Sequence, residues 1–409
     1  MNRRDQFYVS EINFLDQVRK TMCLPERVYV TDETIREGEE TPGATMSIDD
    51  KVAIALMLEE IGVYETNVGY VNYIEDHAEA AKRIKKECPK LKTSCYIRAF
   101  GKKDLKEEVK KEVDFALELG VDQIAILIPA SNYQLKIRNL SQENILEDSV
   151  IAVESAKNCG ASVTYAPYDT TRTDISYLKN LLTSAIIAGA NRVLLYDTLG
   201  VMNPQATVFW MNEIKKVVKA PIQFHAHSDF NLSVANTCAA VIGGAEYIDI
   251  VINGLGDRAG NCSFEETVMA LEGLYRINTG IKTEGLFKLC KKVEEITGIG
   301  ISRNKAICGE NTFIHESDIH VHAVLSGNAA AFEPYEPSIV GQKRVVYFGS
   351  TTSTDSVEMK GESLGMKLSP EEIKVVMGQI RTRIKDKGFA TEEEVEKYLE
   401  SIKFERRGF

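Results

Sequence analysis

The sequence predicts a closed (β/α)8 barrel, the TIM-barrel architecture, followed by a mostly helical C-terminal extension. From residue 27 onward, short apolar and β-branched runs alternate with helix-length segments, and eight such repeats occupy roughly 250 residues. An open doubly wound sheet would usually carry fewer repeats and a glycine-rich first turn. The first turn here, DETIREGEETPG, is charged instead, which favours the closed barrel.

Each predicted strand is a mainly apolar run bounded by polar or glycine-containing segments. Helical segments such as SIDDKVAIALMLEEIG and DLKEEVKKEVDFALELG lie between the strands, and the second ends in glycine, the residue that commonly closes a helix. In chain order the predicted strands are RVYVTDET (27–34), YETNVGY (64–70), KTSCYIRAF (92–100), DQIAILIPA (122–130), SVTYAPYD (162–169), RVLLYDT (192–198), IQFHAHSD (222–229) and EYIDIVING (246–254).

The pattern changes after residue 283. Residues 284–298 predict one helix, residues 305–350 are rich in loops, and residues 369–403 predict two charged amphipathic helices. We therefore expect an N-terminal segment (1–26), a barrel (27–283) and an extension (284–409).

Composition narrows the classes of function. The chain has 409 residues, of which 44% are apolar and 27% charged, as is ordinary for a globular enzyme. Its net charge of −11 argues against nucleic acid or an anionic membrane surface as a partner. No apolar run is long enough to span a bilayer, and the N-terminus lacks the apolar core of a secretory signal. Eight scattered cysteines without a C-x-x-C pair predict reduced thiols and a cytoplasmic location.

Polar side chains follow most of the predicted strands. In a barrel of this class, the carboxyl ends of the strands build the active site. These residues are Asp32, Arg36 and Glu37 after the first strand, Asn67 on the second, Arg98 on the third, Asp169 and Arg172 after the fifth, Asp197 and Thr198 on the sixth, His225, His227 and Asp229 on the seventh, and Asn253 on the eighth.

The stretch FHAHSDFN places two of the six histidines one residue apart on a strand. Strand alternation puts His225 and His227 on one face, where they can converge on a cation or be satisfied by backbone hydrogen bonds. A carboxylate at the end of the first strand favours metal binding over backbone hydrogen bonding by the histidines. We assign Glu37 as this carboxylate ligand, with Asn253 supplying a neutral oxygen. Nitrogen and oxygen ligands without a thiolate suit Mg, Mn, Fe or Zn.

Arg36 precedes Glu37, so it is expected beside the same cation. It could form a surface ion pair, but at a barrel mouth a fixed guanidinium can stabilise an enolate or alkoxide oxygen as charge develops. We therefore place Arg36 among the candidate catalytic residues.

Three segments resemble motifs of the homocitrate synthase and 2-isopropylmalate synthase family, part of the metal-dependent superfamily that includes 3-hydroxy-3-methylglutaryl-CoA lyase. DETIREGEETPG resembles D-x-T-x-R-[DE]-G-x-Q. HAHSDFNLSVANTCAAVIGGAEYIDIVINGLGDRAGN is similar to H-x-H-[ND]-D-x-G-x-A-x-A-N followed by N-G-[IL]-G-[ED]-R-A-G-N. KAICGENTFIHESDIHVHAVL is similar to G-x-x-x-F-x-H-x-S-G-I-H. The resemblance covers roughly residues 27–350, and its three motifs occur in the family's order.

The resemblance implies a Claisen condensation of amino-acid biosynthesis. An acyl-CoA, usually acetyl-CoA, adds to the ketone of a 2-oxo acid, and hydrolysis then releases CoA and a 2-hydroxy-2-alkyl dicarboxylic or tricarboxylic acid. It implies that the extension caps the barrel of a partner subunit in a homodimer. Carried over by position, it implies a divalent metal (Mg, Mn or Zn) on Glu37, His225 and His227 with Asn253 alongside, Arg36 as oxyanion stabiliser, Thr198 against the oxo acid's carboxylate, and His320 as acid–base group.

Departures from the motifs concentrate in the expected substrate pocket. We therefore expect Asn67, Tyr168 and Asn132, with Arg98, to contact an unfamiliar substrate, while the reaction type is kept. The departures are Glu40 for glutamine, Asn67 for the glutamate of G-V-x-x-[IV]-E-x-G, 166–169 for S-x-E-D, Asn132 for a histidine, Asn231 and Asp318 for glycines, and Phe332 for a tyrosine that Tyr335 could replace.

Two other functions fit parts of the sequence. The first is carbon–carbon cleavage of the lyase type, but those lyases carry a cysteine in the glycine loop after the last strand, where this chain has Arg258, with Cys262 four residues on. The second is a metal- or ligand-binding paralogue without turnover, which the retention of Arg36, both strand histidines and His320 disfavours.

Overall fold

The computed structural model describes residues 3–406 and divides the chain into two compact units. One unit spans Glu11–Ile301, and the other combines Met1–Ser10 with Ser302–Phe409. No helix among the described residues is both long and apolar enough to cross a membrane.

The first unit contains a closed barrel of parallel strands in the order β1 to β8. Each of the eight predicted strands is present, so the predicted fold class is confirmed. Most strands are shorter than predicted, because their polar ends leave the sheet. Their bounds are β1 Tyr29–Asp32, β2 Glu65–Asn67, β3 Lys92–Arg98, β4 Gln123–Pro129, β5 Val163–Tyr168, β6 Arg192–Asp197, β7 Ile222–Ala226 and β8 Tyr247–Ile250.

Helices follow the strands, as the barrel pattern requires. The helix Ile48–Ile61 begins at a capping box formed by Ser47 and Asp50 and ends at Gly62, whose positive φ of 89° favours glycine. In chain order the helices of this unit are α1 Asp16–Arg19, α2 Thr34–Glu37, α3 Ile48–Ile61, α4 Glu75–Glu87, α5 Leu105–Glu118, α6 Asn132–Arg138, α7 Gln142–Asn158, α8 Ile175–Ile187, α9 Pro204–Lys215, α10 Ser233–Ile242, α11 Phe264–Leu274 and α12 Leu286–Thr297.

The second unit has its own core. A three-stranded sheet in the order β11-β10-β9 packs with helices around buried residues that include Phe348, Val357, Val376 and Leu399. The two predicted amphipathic helices near the end of the chain are present. The elements are β9 Ile314–His315, α13 Asp318–Leu325, β10 Val345–Phe348, α14 Thr354–Ser363, α15 Pro370–Lys387, β11 Ala390–Thr391 and α16 Glu392–Glu405.

A buried ion pair links two strands of the barrel. Arg192 begins β6, and its Nη2 donates to both oxygens of Glu65, the first residue of β2, at 2.8 and 3.1 Å, while its Nε donates to Thr164 Oγ1 at 3.0 Å. Both charged side chains are at least nine-tenths buried. The pair ties together strands that are not neighbours in the barrel.

We expect Arg192→Met to lower the free energy of unfolding by about 3–5 kcal/mol, because it leaves the buried Glu65 carboxylate without its partner. Fluorescence of the single tryptophan, Trp210 in α9, during urea unfolding reports on this unit. Lys110→Met removes an exposed ion pair with Asp114 and should leave the midpoint unchanged. Equal midpoints for the two variants would contradict a role for the buried pair.

Candidate metal centre and active site

A strand-to-helix turn positions the first acidic residue of the site. The Asp32 carboxylate at the end of β1 accepts hydrogen bonds from Thr34 N at 3.1 Å and Thr34 Oγ1 at 2.6 Å. These bonds fix the start of α2, a single turn whose residues are all buried. Glu37, the last residue of that turn, therefore faces the barrel interior from a fixed backbone.

Two histidines approach Glu37 from β7. His225 and His227 point to the same side of the barrel, with ring centroids 5.2 Å apart, and His225 Nε2 lies 3.6 Å from Glu37 Oε1. One ligand atom from each of the three side chains lies within 4.8 Å of the others. The structure thus brings together the three residues that the sequence suggested for a metal.

The hydrogen bonds and pKa values of these side chains fit a cation. His225 Nδ1 is 3.2 Å from Asp249 Oδ2, which leaves His225 Nε2 buried without a hydrogen-bond partner, as is His227 Nδ1. Burial, and then the nearby His225, lower the pKa of His227 to about 3, so its imidazole is neutral. Burial acts to raise the pKa of Glu37, but Arg36 and the histidines lower it to about 2. Burial acts to lower the pKa of His225, but its hydrogen bond to Asp249 and the charge of Glu37 raise it. The Glu37 carboxylate and the two imidazoles therefore converge on one point, where a bound cation can replace the His225 proton.

An asparagine other than the predicted Asn253 contacts this group, namely Asn261. Asn253 lies beyond the end of β8, and its Nδ2 donates to the Cys290 carbonyl oxygen at 2.9 Å. Asn261 pairs with His227 in a β-bridge, its Nδ2 lies 3.1 Å from Glu37 Oε2, and its Oδ1 is buried without a partner. Because an amide can present either atom after a half-turn, Asn261 can offer its oxygen to a cation beside Glu37.

The Arg36 side chain is buried between two acidic residues. Its Nε and Nη2 donate to Glu33 Oε2 at 3.1 and 2.8 Å, and its Nη1 lies 2.5 Å from Glu37 Oε1. The guanidinium carbon is 4.9 Å from the centre of the Tyr96 ring. Arg36 is thus a fixed, desolvated cation next to the candidate metal ligands.

Glu33 is surrounded by donors. Beside the two Arg36 nitrogens, Asn67 Nδ2 donates to Glu33 Oε1 at 3.2 Å and the Tyr96 hydroxyl lies 3.5 Å from the same atom. Burial raises the pKa of Glu33 to about 8, although the charge of Arg36 acts to lower it. Arg36, Asn67 and Tyr96 all present donors to its oxygens, and these contacts favour the ionised carboxylate against the effect of burial.

A cavity of about 680 Å³ opens above this group of residues. Of the residues predicted from sequence, it is lined by Arg36, Glu37, Arg98, Tyr168, Thr198 and His227. The other lining residues were missed. The aromatic ones are of types usual in barrel cores and give no separate signal, and the charged ones lie in loops or at a helix end, where no strand pattern marks them. They are Tyr70, Tyr73, Tyr96, Phe100, Lys102, Leu127, Arg138, Tyr196, Asp257 and Arg258.

Two predicted substrate contacts do not line the cavity. Asn132 begins α6, is exposed, and accepts a hydrogen bond from Gln142 Nε2 at 3.2 Å. Asn67 is buried at the end of β2, where its Oδ1 accepts from Gly69 N at 2.8 Å and its Nδ2 contacts Glu33. Asn67 therefore supports the site from behind Glu33.

His320 lies in the second unit, at the start of α13. Its ring stacks on Phe332, with centroids 4.0 Å apart and an angle of 22° between the planes. The neighbouring His315 is buried, and its Nε2 is 3.0 Å from Glu333 Oε1. This unit therefore presents a partly exposed histidine next to a buried histidine–carboxylate pair.

Comparisons with known proteins agree with this architecture. The HMGL-like family matches residues 27–293, and the homocitrate synthase post-HMGL domain-like family matches residues 307–388. A 2-isopropylmalate synthase of Methanocaldococcus jannaschii is 39% identical over 97% of this chain and 75% of its own length. A homocitrate synthase of Methanopyrus kandleri is 37% identical over 95% of this chain and 96% of its own length. An (R)-citramalate synthase of M. jannaschii is 34% identical over 87% of this chain and 70% of its own length.

Solved structures share the fold. The HMG-CoA lyase of Bacillus subtilis superposes with a TM-score of 0.60 at 22% identity, over 69% of this chain and 98% of that chain. This structural similarity supports the barrel fold alone.

We expect Asp249→Asn to lower the affinity for Mn²⁺ by about 10–100-fold, because Asp249 orients His225 through its Nδ1. Isothermal titration calorimetry of the protein freed of metal measures the dissociation constant. Asp122→Asn changes a carboxylate that pairs with Lys85 outside the cavity, and it serves as the matched control. Equal affinities of the two variants would show that Asp249 does not orient a metal ligand.

Proposed function

The chain belongs to the HMGL-like family and carries the post-HMGL domain of homocitrate synthases, and we propose that it uses this site as an acyl-CoA:2-oxo acid C-acyltransferase. It condenses an acyl-CoA, most simply acetyl-CoA, with a 2-oxo acid and releases CoA. The observation that carries the assignment to this site is the convergence of Glu37, His225 and His227 beside the buried Arg36.

We assign the metal-holding role to Glu37, His225, His227 and Asn261. A divalent metal bound there, Mg, Mn or Zn, would supply a Lewis acid for the oxo group of the substrate. Asp249 keeps the His225 proton on Nδ1, so that the Nε2 lone pair faces the other ligands.

Arg36 is assigned to the oxygen that becomes charged when the new carbon–carbon bond forms. Its guanidinium lines the cavity and is held on its other edges by Glu33 and Glu37, so it needs no rearrangement to face a developing oxyanion. A preorganised cation in a desolvated position stabilises such a charge more than a mobile surface cation does.

Thr198 is suited to bind the carboxylate of the oxo acid. Its Oγ1 accepts a hydrogen bond from Asp169 N at 2.9 Å, which leaves the hydroxyl proton available for donation. Because Thr198 also lines the cavity, that proton can be given to a substrate carboxylate.

The rest of the cavity favours a 2-oxo acid with a polar or anionic side chain. Leu127 is the one aliphatic side chain among the described lining residues. Arg98 and Arg138 lie over aromatic rings at 4.7–5.7 Å and have no acidic partner within salt-bridge distance among the described residues. Tyr168, whose pKa burial raises to about 12, adds a neutral hydroxyl. A branched aliphatic substrate would leave these polar groups without partners.

His320 is proposed as the acid–base group of the condensation. It is the histidine of HESDIHVH that corresponds to the family motif, and it lies in the post-HMGL domain, 307–388. We propose that this domain caps the barrel of a second subunit, so that the working enzyme is a homodimer. The described cysteines form no disulfide, which supports a cytoplasmic location.

Carbon–carbon cleavage of the lyase type is less compatible with the glycine loop. Arg258 takes the place of the lyase cysteine, and its Nε and Nη2 pair with the Asp229 carboxylate at 2.8 and 2.9 Å. Cys262 is fully buried and contacts Thr267 Oγ1 at 2.9 Å, so it lines no part of the cavity.

We expect thiol release from acetyl-CoA to require both a divalent metal and a 2-oxo acid. Free CoA is measured with a thiol reagent against a panel of oxo acids with methyl, branched aliphatic and carboxylate-bearing side chains. The polar lining predicts the highest kcat/KM for the carboxylate-bearing member. His227→Ala should reduce release to the uncatalysed background, because one of the proposed metal ligands is lost.

Three outcomes would contradict the proposal. Thiol release without any oxo acid would indicate simple hydrolysis, and breakdown of a hydroxyacyl-CoA without condensation would indicate a lyase. Full activity of His227→Ala would remove the metal assignment. Lys110→Met, far from the cavity, serves as the control for preparation and folding.

A further inference from the structure

Glu33 is a buried carboxylate whose hydrogen bonds link it to the candidate metal centre through Arg36. It is 1% exposed and accepts from Arg36 Nε and Nη2 through Oε2, and from Asn67 Nδ2 through Oε1. It does not line the cavity, so it has no direct access to a substrate. Its role must therefore act through the groups that it holds.

The orientation of Asn67 is fixed independently of Glu33. Its Oδ1 accepts from the backbone N–H of Gly69 at 2.8 Å, so its Nδ2 is the atom that faces Glu33. The two residues form an amide-to-carboxylate hydrogen bond of defined direction. One member of the pair carries charge and the other does not.

The strand register explains why these two residues meet. In the parallel pairing of β1 with β2, Thr31 lies opposite Glu65 and Asp32 lies opposite Thr66, so Glu33 follows on opposite Asn67. The motif G-V-x-x-[IV]-E-x-G has glutamate at the position of Asn67. In this chain the amide is on the second strand, and a carboxylate is present on the first strand directly across from it.

We propose that Glu33 is the positioning residue for Arg36, and that it supplies from β1 the carboxylate that the family motif carries on β2. The proposal rests on the function proposed above for Arg36. The pair Glu33 and Asn67 is exchangeable, because either order provides one carboxylate and one amide at the same place.

The physical role of Glu33 is to divide the guanidinium between two carboxylates. Glu33 engages Nε and Nη2, while Nη1 is left for Glu37 and, at 3.4 Å, for Glu40. Without the Glu33 charge, Arg36 would turn fully towards Glu37 and Glu40. It would then compete with a cation for Glu37 and leave the position that faces the cavity.

The test is an exchange cycle with Glu33→Gln, Asn67→Glu and the double variant. Glu33→Gln should lower kcat by about 10²-fold, because a displaced catalytic group loses its alignment, while KM for acetyl-CoA stays unchanged. Its affinity for Mn²⁺ should fall about tenfold, as for other groups that support metal ligands. The double variant should recover kcat to within about tenfold, and the Mn²⁺ affinity to within about twofold, of the starting protein.

Asn67→Glu alone places two carboxylates against each other and should also lower kcat, because Arg36 is drawn away from Glu37. Glu65→Gln is the matched control, since Glu65 is a buried carboxylate on β2 that pairs with Arg192 and does not contact Arg36. It should lower the unfolding midpoint and leave the Mn²⁺ affinity and kcat as they are.

Unchanged kcat and Mn²⁺ affinity in Glu33→Gln would overturn the positioning role. A double variant no better than Glu33→Gln would overturn the exchange. If the starting protein shows no thiol release with any oxo acid, the proposed function fails. The Mn²⁺ affinities of the four proteins still decide whether Glu33 restricts the contact of Arg36 with Glu37 to Nη1.

Discussion

The Glu37 carboxylate and the imidazoles of His225 and His227 meet inside a closed barrel, with ligand atoms within 4.8 Å of one another. This convergence depends on the closure of the sheet. Glu37 follows β1, whereas His225 is in β7 and His227 directly follows it, and β8 lies between these strands. It also depends on the Asp32–Thr34 bonds that turn the chain inward after β1. Two imidazole nitrogens are left buried without protein partners, and in a protein interior such atoms are normally satisfied.

Charge balance connects this group to the rest of the barrel. Arg36 lies between Glu33 and Glu37, and Asp249 is behind His225, so each strongly desolvated charge has an opposite charge or a donor beside it. Gln223 donates a hydrogen bond to Asp249 and so continues the network of buried polar side chains away from the cavity. A substitution at any of these residues should therefore affect both stability and metal affinity, whereas changes among the tyrosines and arginines of the cavity should affect substrate choice.

Much of the fold and part of the site could be predicted from the sequence. The βα period and the charged first turn predicted the closed barrel, and the single-residue spacing of His225 and His227 predicted their shared face because strand alternation is rigid. Asn253 lies three residues beyond β8, where strand alternation no longer predicts the direction of a side chain, whereas Asn261 pairs with His227 in a β-bridge that no strand pattern marks. Glu33 was missed because only the register of β1 against β2 reveals that it faces Asn67.

An anomalous-scattering map of crystals grown with Mn²⁺ would locate the divalent cation that this barrel holds. We expect one strong peak bonded to Glu37, His225 and His227, with the Asn261 amide oxygen turned towards it. A second acidic group, Glu37 with Glu40 and Asp257, is close enough to hold a cation without either histidine. A peak at that group, with both imidazoles unbound, would contradict the assignment of the metal centre and of the reaction derived from it.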